Sequence, residues 1–458
     1  MSYYAYVCKI DNLRKHPNAD RLQLGECFGN TVCVDMSYAA GEVGIYFPTD
    51  GQLSVEFAEY NNLLRKKDDA GNSIGGYMDP NKRNVTSIRL RGEKSDGLFL
   101  HLDCISYTKA EVKEGDSFTM LNGHEICQKY IPRSHKQPYE NKVKGNRTRK
   151  KKVPIAPLFV EHADTEQLAY NLGAFHPGDY VEITLKMHGT SQRTGRVPTF
   201  VKYKRSFFDW LLRRPGTPVY DWGYVSGTRR TVLENFDGGY YGSNAFREQH
   251  SKFFEGKLHK GEEVYYEVVG FTDTGASIMG VVSNKKLNDK AFVKQYGEMT
   301  TFSYGCSPTG YMTYEDGSHD ALPQSDFYVY RMTMTNEDGD IVEYTPDYMR
   351  YRCAQMGCKC VPLLWSGIIP AHTGDEAAIS LGQDAGAWIK AKAEEFYDGP
   401  DPIGKTHVRE GVVCRIVNRP AFTAYKHKNF AFKCLEGICK AEETEPDMEE
   451  AEEVKDEA

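Results

Sequence analysis

The stretch Glu182-Ile183-Thr184-Leu185-Lys186-Met187-His188-Gly189-Thr190-Ser191 reads as a strand that delivers one lysine to a tight glycine turn. A lysine so placed can act as a nucleophile toward a phosphate ester once burial or cationic neighbours partly deprotonate its ammonium. Gly189 lets the backbone approach a bulky ligand, and Thr190 and Ser191 offer hydroxyls just beyond it. Lysines before strand turns are common and most are only solvated. The rest of the chain has to decide.

A chain of 458 residues exceeds a single core and predicts two or three domains. Its 40% apolar and 12% aromatic content fits a soluble globular enzyme with many stacking surfaces. No apolar run approaches the roughly 20 residues that span a bilayer, which speaks against a membrane partner. The start, Met1 to Ile10, lacks the basic and apolar regions of a signal peptide. Twelve cysteines without regular pairing then point to a reducing cytoplasm.

The net charge of −7 is segregated: ten acids and Lys455 give residues 441–458 a balance of −9, leaving the other 440 residues at +2. From Lys129 to Lys152, ten basic residues face the single acid Glu140. Such a stretch suits a polyanionic partner, the alternative being a solvated linker with no ligand. The acidic tail is expected to stay disordered.

Short β-rich runs such as Thr31–Asp35, Gly44–Pro48 and Gly97–Leu102 crowd residues 1–128 and favour a small barrel. Its His16-Pro17-Asn18-Ala19-Asp20-Arg21-Leu22 segment resembles the opening loop of oligonucleotide-binding (OB) folds. The run Ser87-Ile88-Arg89-Leu90-Arg91-Gly92 puts two arginines at alternate strand positions, hence on one face. Residues 129–155 form a basic linker, 156–440 a mixed domain and 441–458 the tail. Helices are expected at 168–172, 347–356 and 377–396, and strands at 180–187, 263–270, 326–334 and 411–417. The fold class is α+β, with antiparallel sheets flanked by helices after the barrel.

Four segments follow Lys186. Tyr224–Arg230 places arginines after a strand, Glu263–Phe271 embeds Glu267 among apolar residues, and Glu410–Arg415 is a strand opened by an acid. Tyr425-Lys426-His427-Lys428 sets two lysines on one strand face. Each alone reads as an ordinary solvated feature. Together, in this order, they resemble the covalent nucleotidyltransferase superfamily of ATP-dependent ligases and capping enzymes. Lys186 to Gly189 matches its nucleotidyl-lysine motif, Glu267 its third motif, Glu410 its fourth, and Lys426 with Lys428 its fifth. Phe327-Tyr328-Val329-Tyr330 looks like the strand whose aromatic packs on the purine, Tyr330 fitting slightly better than Tyr328. DNA ligases and capping enzymes usually carry Asp two residues after the lysine. His188 stands there, as in the type 2 RNA ligases. Glu161–Leu168 resembles the helix before the lysine strand in phage-encoded members, and a barrel before the catalytic domain is similar to RNA ligases that seal nicks with a 3′-OH RNA strand. Departures from the pattern are extra segments after Arg196 and between Glu267 and Tyr330.

The resemblance implies a nucleotidyltransferase (adenylation) domain behind an OB-fold barrel, in the cytoplasm of the host cell if the protein is phage-encoded. It implies an ATP-dependent RNA ligase that joins 5′-phosphate and 3′-OH RNA ends in a nicked duplex. Lys186 would carry AMP, with Mg²⁺ or Mn²⁺ held through water by Glu267 and Glu410. Lys426 and Lys428 would contact the α-phosphate, Gly189 and Tyr330 the nucleotide, Arg229 the ribose or the RNA 5′-phosphate, and His188 would supply one hydrogen bond. Arg89, Arg91 and Arg193 would extend the phosphate track. A DNA ligase, a GTP-dependent capping-type enzyme and an RNA-binding protein with a decayed transferase domain are the alternatives.

Overall fold

Between Leu185 and Thr190 the chain passes from one β-sheet into another. The computed structural model that shows this describes residues 3–49, 51–67, 73–130, 155–163, 165–211, 216–233, 235–236, 241, 243–314, 316–370 and 384–436. The basic segment over 131–154 and the acidic tail lie outside the described residues. The chain divides into two units: Met1–Gly145 with Asn284–Val293 and Lys433–Ala458, and Asn146–Ser283 with Lys294–Phe432.

The second unit contains both sheets that the lysine segment joins. The five-stranded sheet runs Glu166–Gln167, Thr423–Lys428, Gly411–Ile416, Tyr180–Leu185, Leu363–Ile368. Along Tyr180–Leu185, Val181, Ile183 and Leu185 are buried. Val181 and Ile183 pack with Ala385, Ile389 and Ala393, one stripe of the helix Asp384–Glu394. Glu182 points to the opposite face, as alternation requires.

The larger sheet orders Val232–Leu233, Thr217–Gly227, Thr190–Lys204, Glu262–Gly270, Ser325–Thr335 and Ile341–Glu343, with Lys359–Cys360 parallel to Ser325–Thr335. Its central strand Glu262–Gly270 is buried at every position but one, and that one is Glu267. A strand walled in on both faces therefore opens to solvent only at an acid.

The helix Pro346–Met356 links the two sheets. Thr345 caps it by accepting the Tyr348 N–H, Pro346 starts it and Gly357 ends it at φ 74°, the expected punctuation of a short helix. Two positions along, a helix turns by roughly 200°, so Arg350 and Arg352 project to opposite sides. Arg350 bonds Glu182 of the smaller sheet at 2.6 Å, and Arg352 bonds Glu262 of the larger sheet at 2.7 Å.

Sequence expectations hold for the strands near 180, 263, 326 and 411 and for the 347–356 helix. The predicted helix at 168–172 is instead two 3₁₀ turns, Leu168–Tyr170 and Leu172–Ala174. Of the segment likened to a helix, Glu166 and Gln167 form a strand beside Tyr425 and Lys426. An open sheet edge gives those backbone groups partners that an isolated turn of helix would not.

The first unit is built from short strands. One four-stranded sheet runs Leu98–His101, Val43–Phe47, Ala5–Lys9, Ser117–Phe118. Two three-stranded sheets are Asp11–Lys15, Leu22–Cys27, Asn30–Asp35 and Cys127–Lys129, Gly51–Leu53, Asn84–Val85. Val7, Ile45, Phe47, Leu53 and Phe57 meet in its core. Among the described residues no helix is long and apolar enough to cross a membrane.

Glu262 is fully buried. Burial alone would raise its carboxyl, and the Arg352 guanidinium reverses this and holds it below its ordinary value. Arg352→Ala strands that charge and is expected to cost about 3–5 kcal/mol, read as a lowered unfolding midpoint, with Arg352→Lys intermediate.

Candidate active site

The crossing between the sheets places Lys186 above the start of Gly411–Ile416. The Lys186 N–H donates to the Gly411 carbonyl at 2.9 Å, and the side chain turns to the acid before it. Lys186 Nζ lies 2.6 Å from Glu410 Oε1, and Lys428 Nζ lies 3.1 Å from the same oxygen. His188 Nδ1 stands 3.6 Å from Glu410 Oε2. Glu410 is 2% exposed. Burial pushes its carboxyl up, and the ammonium groups of Lys186 and Lys428 outweigh that, holding it well below the usual carboxylate range.

Strand alternation delivers Lys426 and Lys428 together. Ala424, Lys426 and Lys428 are the buried positions of Thr423–Lys428. Lys428 pairs with Gly411 in the ladder, which sets its ammonium over Glu410. Gly411 has a φ of 144°, and a Cβ there would meet the His427 carbonyl at 2.1 Å. Glycine is therefore required where these two strands draw together.

Gly189 has the same duty on the other side. A Cβ on it would lie 2.4 Å from the Val268 carbonyl and 2.9 Å from the Glu267 Cγ. The next residues enter the larger sheet, Thr190 opposite Val268 and Ser191 opposite Glu267. Burial pushes the Glu267 carboxyl up to about 7, against the attraction of Lys186 and reinforced by the charge on Glu410. Arg229, in the turn after Thr217–Gly227, pulls Glu267 the other way.

Tyr330 is the extra residue of a β-bulge: Tyr265 pairs with Arg331 and Tyr266 with Val329, leaving it over. Bulges re-aim side chains. The Tyr330 hydroxyl reaches Ser191 Oγ at 2.8 Å and its ring meets His162 edge-on at 5.0 Å. Tyr328, the neighbouring candidate, is buried.

Lys186, His188, Gly189, Glu267, Glu410 and Lys428 thus gather at one place, with Lys426, Arg229 and Tyr330 on adjoining strands and turns. Arg193 does not join them. Its guanidinium is 1% exposed, donates to Thr228 O at 3.0 Å, to Phe159 O at 3.2 Å and to Val160 O, and stacks on Phe159 at 4.0 Å. A group so enclosed has no face for RNA, and the phosphate role expected of Arg193 is withdrawn.

The arginine pair of the first unit also differs from expectation. The strand Ser87–Leu90 ends before Arg91, which takes φ 43° and with Gly92 at φ 90° closes the hairpin to Glu93–Asp96. Arg91 belongs to a turn, so the one-face reading fails. The side chain of Arg89 lies outside the described residues. The His16 loop holds this turn. His16 Nδ1 accepts the Asn18 N–H at 3.0 Å, so its Nε2–H donates to Leu90 O at 3.0 Å. Asn18 Nδ2 donates to Arg91 O at 2.8 Å.

Three participants carry no sequence signal. Tyr304 comes from the extra segment after Glu267, and its buried hydroxyl accepts the His188 N–H at 2.7 Å. Burial drives that phenol far above its ordinary value, so it stays neutral. Phe302 of the same segment meets the His188 ring edge-on at 4.5 Å. Arg247 is also buried, donating to Thr190 Oγ1 at 2.5 Å and Ser191 O at 3.2 Å. An arginine within a mixed helix such as Ala245–Phe253 shows no spacing that would single it out.

No known family model matches the chain, and no curated protein does. Solved structures do. A lysine-to-alanine variant of the Naegleria gruberi RNA ligase with ATP and Mn superposes with a TM-score of 0.56 at 17% identity, over 95% of this chain and 98% of that one. The same ligase with PPi gives 0.55 at 17% identity, over 94% and 97%. A glutamate-to-alanine variant with ATP and Mn gives 0.53 at 18% identity, over 94% and 98%. The chain shares the fold of that ligase. At this identity the likeness speaks for the fold, and the side-chain geometry above has to speak for the chemistry.

The raised carboxyl of Glu267 makes a stability prediction. Between its ordinary 4.5 and about 7 the folded chain binds a proton that the unfolded chain lacks. Its contribution to stability is thus full below about 4.5 and is lost as pH rises to about 7. Glutamine cannot ionise. Relative to the parent, Glu267→Gln is expected to gain on the order of 2–3 kcal/mol between pH 4 and pH 8, measured by denaturant unfolding of both chains at each pH.

Proposed function

We propose that this chain is an ATP-dependent RNA ligase that works through a lysyl-AMP intermediate. One observation carries the reading: Lys186 sits at the crossing of two sheets, 2.6 Å from a buried carboxylate shared with Lys428, beside the part-open Glu267. The shared fold with an RNA ligase seen with ATP and Mn, and with PPi, supports it.

In this reading Lys186 Nζ sheds a proton, leaves Glu410 and bonds to the α-phosphorus of ATP while the bond to pyrophosphate breaks. Lys428 remains on Glu410, so the buried carboxylate keeps a counter-charge when Lys186 becomes neutral and covalent. Lys426 and Lys428 offset charge on the α-phosphate, the usual need of phosphoryl chemistry. An oxygen of an RNA 5′-phosphate then displaces Lys186, and a 3′-OH displaces AMP. Arg229 is suited to the ribose or the incoming phosphate.

A divalent ion, Mg²⁺ or Mn²⁺, fits the donors present. Glu410 Oε2 is buried without a hydrogen-bond partner among the described residues, and Glu267 is the half-buried position of its strand, so both could hold a hydrated ion. When bound, it would add charge neutralisation at phosphate oxygens. The short-stranded first unit is proposed as the OB barrel that contacts RNA, with the held Arg91 turn on its surface. RNA is the proposed acceptor on the strength of His188 in the lysine turn, and a nicked duplex the proposed substrate on the strength of a barrel ahead of the catalytic unit.

Incubation with α-³²P-labelled ATP should label the parent chain and leave Lys186→Ala blank, with RNA sealing down on the order of a thousandfold or more. Labelling by GTP alone, or a Lys186→Ala chain that seals as well as the parent, would overturn the reading. Nicked duplexes with RNA or DNA on either side of the break then report which strand the enzyme requires.

A further inference from the structure

The strand Thr190–Lys204 outruns its sheet. Thr190 to Gly195 pair with Glu262–Gly270 on one side, whereas Arg196 to Lys204 continue the ladder with Thr217–Gly227, with single backbone bonds from Gly261 N to Arg196 O and from Phe200 N to Ile155 O at its base. The result is a two-stranded ribbon within the second unit, built from the extra segment after Arg196. A register shift between Phe200 and Lys202 leaves Lys202 and Lys204 on one face and Tyr203 on the other, all three exposed. Contacts of Phe200 with Tyr203 at 5.0 Å and with Tyr220 at 6.1 Å stiffen it.

The ribbon ends in the short helix Phe207–Leu211. Ser206 N donates to Asp209 Oδ2 at 3.0 Å and Asp209 N to Ser206 Oγ at 3.1 Å, a reciprocal cap at the start of the helix. Phe207 is 70% exposed and Trp210 65% exposed, their rings 6.0 Å apart. Large rings held outward on a capped helix are costly to leave in water. Of the nearby acids, Asp209 serves the cap, and the exposed Asp221 accepts the Trp222 N–H at 2.7 Å. Lys202 and Lys204 add two exposed positive charges.

We propose that this ribbon grips a single-stranded RNA extension beyond the paired region that holds the nick, a proposal that rests on the ligase reading. Lys202 and Lys204 would track the phosphates while Trp210 and Phe207 stack on unpaired bases. Exposed rings beside basic residues are what strand binding without base readout requires. The deep, narrow major groove of an RNA duplex would not admit a ribbon, so unpaired RNA is the occupant that uses both features.

The test uses the full chain and a fluorescein-labelled single-stranded RNA oligonucleotide, without ATP, read by anisotropy across a salt series. Trp210→Ala should weaken binding about tenfold. Lys202→Gln with Lys204→Gln should flatten the slope of log affinity against log salt by roughly 1.5. Both chains should keep the parent's unfolding midpoint and its rate of self-labelling with ATP, since none of these residues lies at Lys186. Affinity and salt slope unchanged in both variants would overturn the ribbon proposal alone. Loss of self-labelling in the parent would instead strike the ligase reading.

Discussion

A carboxylate taken out of water costs several kcal/mol unless matched charge accompanies it. Glu410 is such a group, and two ammonium groups meet one of its oxygens. Much of the local architecture serves that arrangement. Gly411 lets the strand carrying Lys428 come close, and the Lys186 backbone is tied to the Gly411 carbonyl. In the proposed lysyl-AMP reading, the acid stays ionised when Lys186 is consumed because Lys428 remains. A Lys-X-Lys strand backed by a buried glutamate would then keep the charge balance through that step.

The site belongs to neither sheet alone. Lys186, Glu410 and the two strand lysines come from the smaller sheet, Glu267 and Tyr330 from the larger. Their spacing therefore depends on how firmly the sheets are joined. Arg350 and Arg352, leaving one helix in opposite directions, bond an acid in each. Buried ion pairs contribute little net stability but are intolerant of misplacement, which suits a role in registering one sheet on the other.

The segments after Glu267 and after Arg196 are structurally active. The one after Glu267 closes over the lysine turn with Tyr304 and Phe302. The one after Arg196 makes a ribbon with basic and aromatic surfaces. Both begin at strands of the larger sheet, where a hairpin can lengthen without disturbing the core.

Much of this was readable from residue order. The strand that carries Lys186, the acid inside an apolar strand, the acid opening another and the Lys-X-Lys pair all show in local pattern, because alternation with period 2 is a local property. What the pattern could not supply was anything set by contact across the fold. Arg193 looked like a phosphate ligand because it stands near the lysine, but the sheet turns it into the core against Phe159. Arg91 looked like a strand residue until a positive φ made it a turn. Tyr304 and Arg247 have no spacing to betray them, since only packing brings them to the lysine turn. The sequence by itself determined which groups could do the chemistry. Tertiary structure alone decided which of them share one buried carboxylate, because charge pairing in a dry interior depends on distances that residue order does not encode.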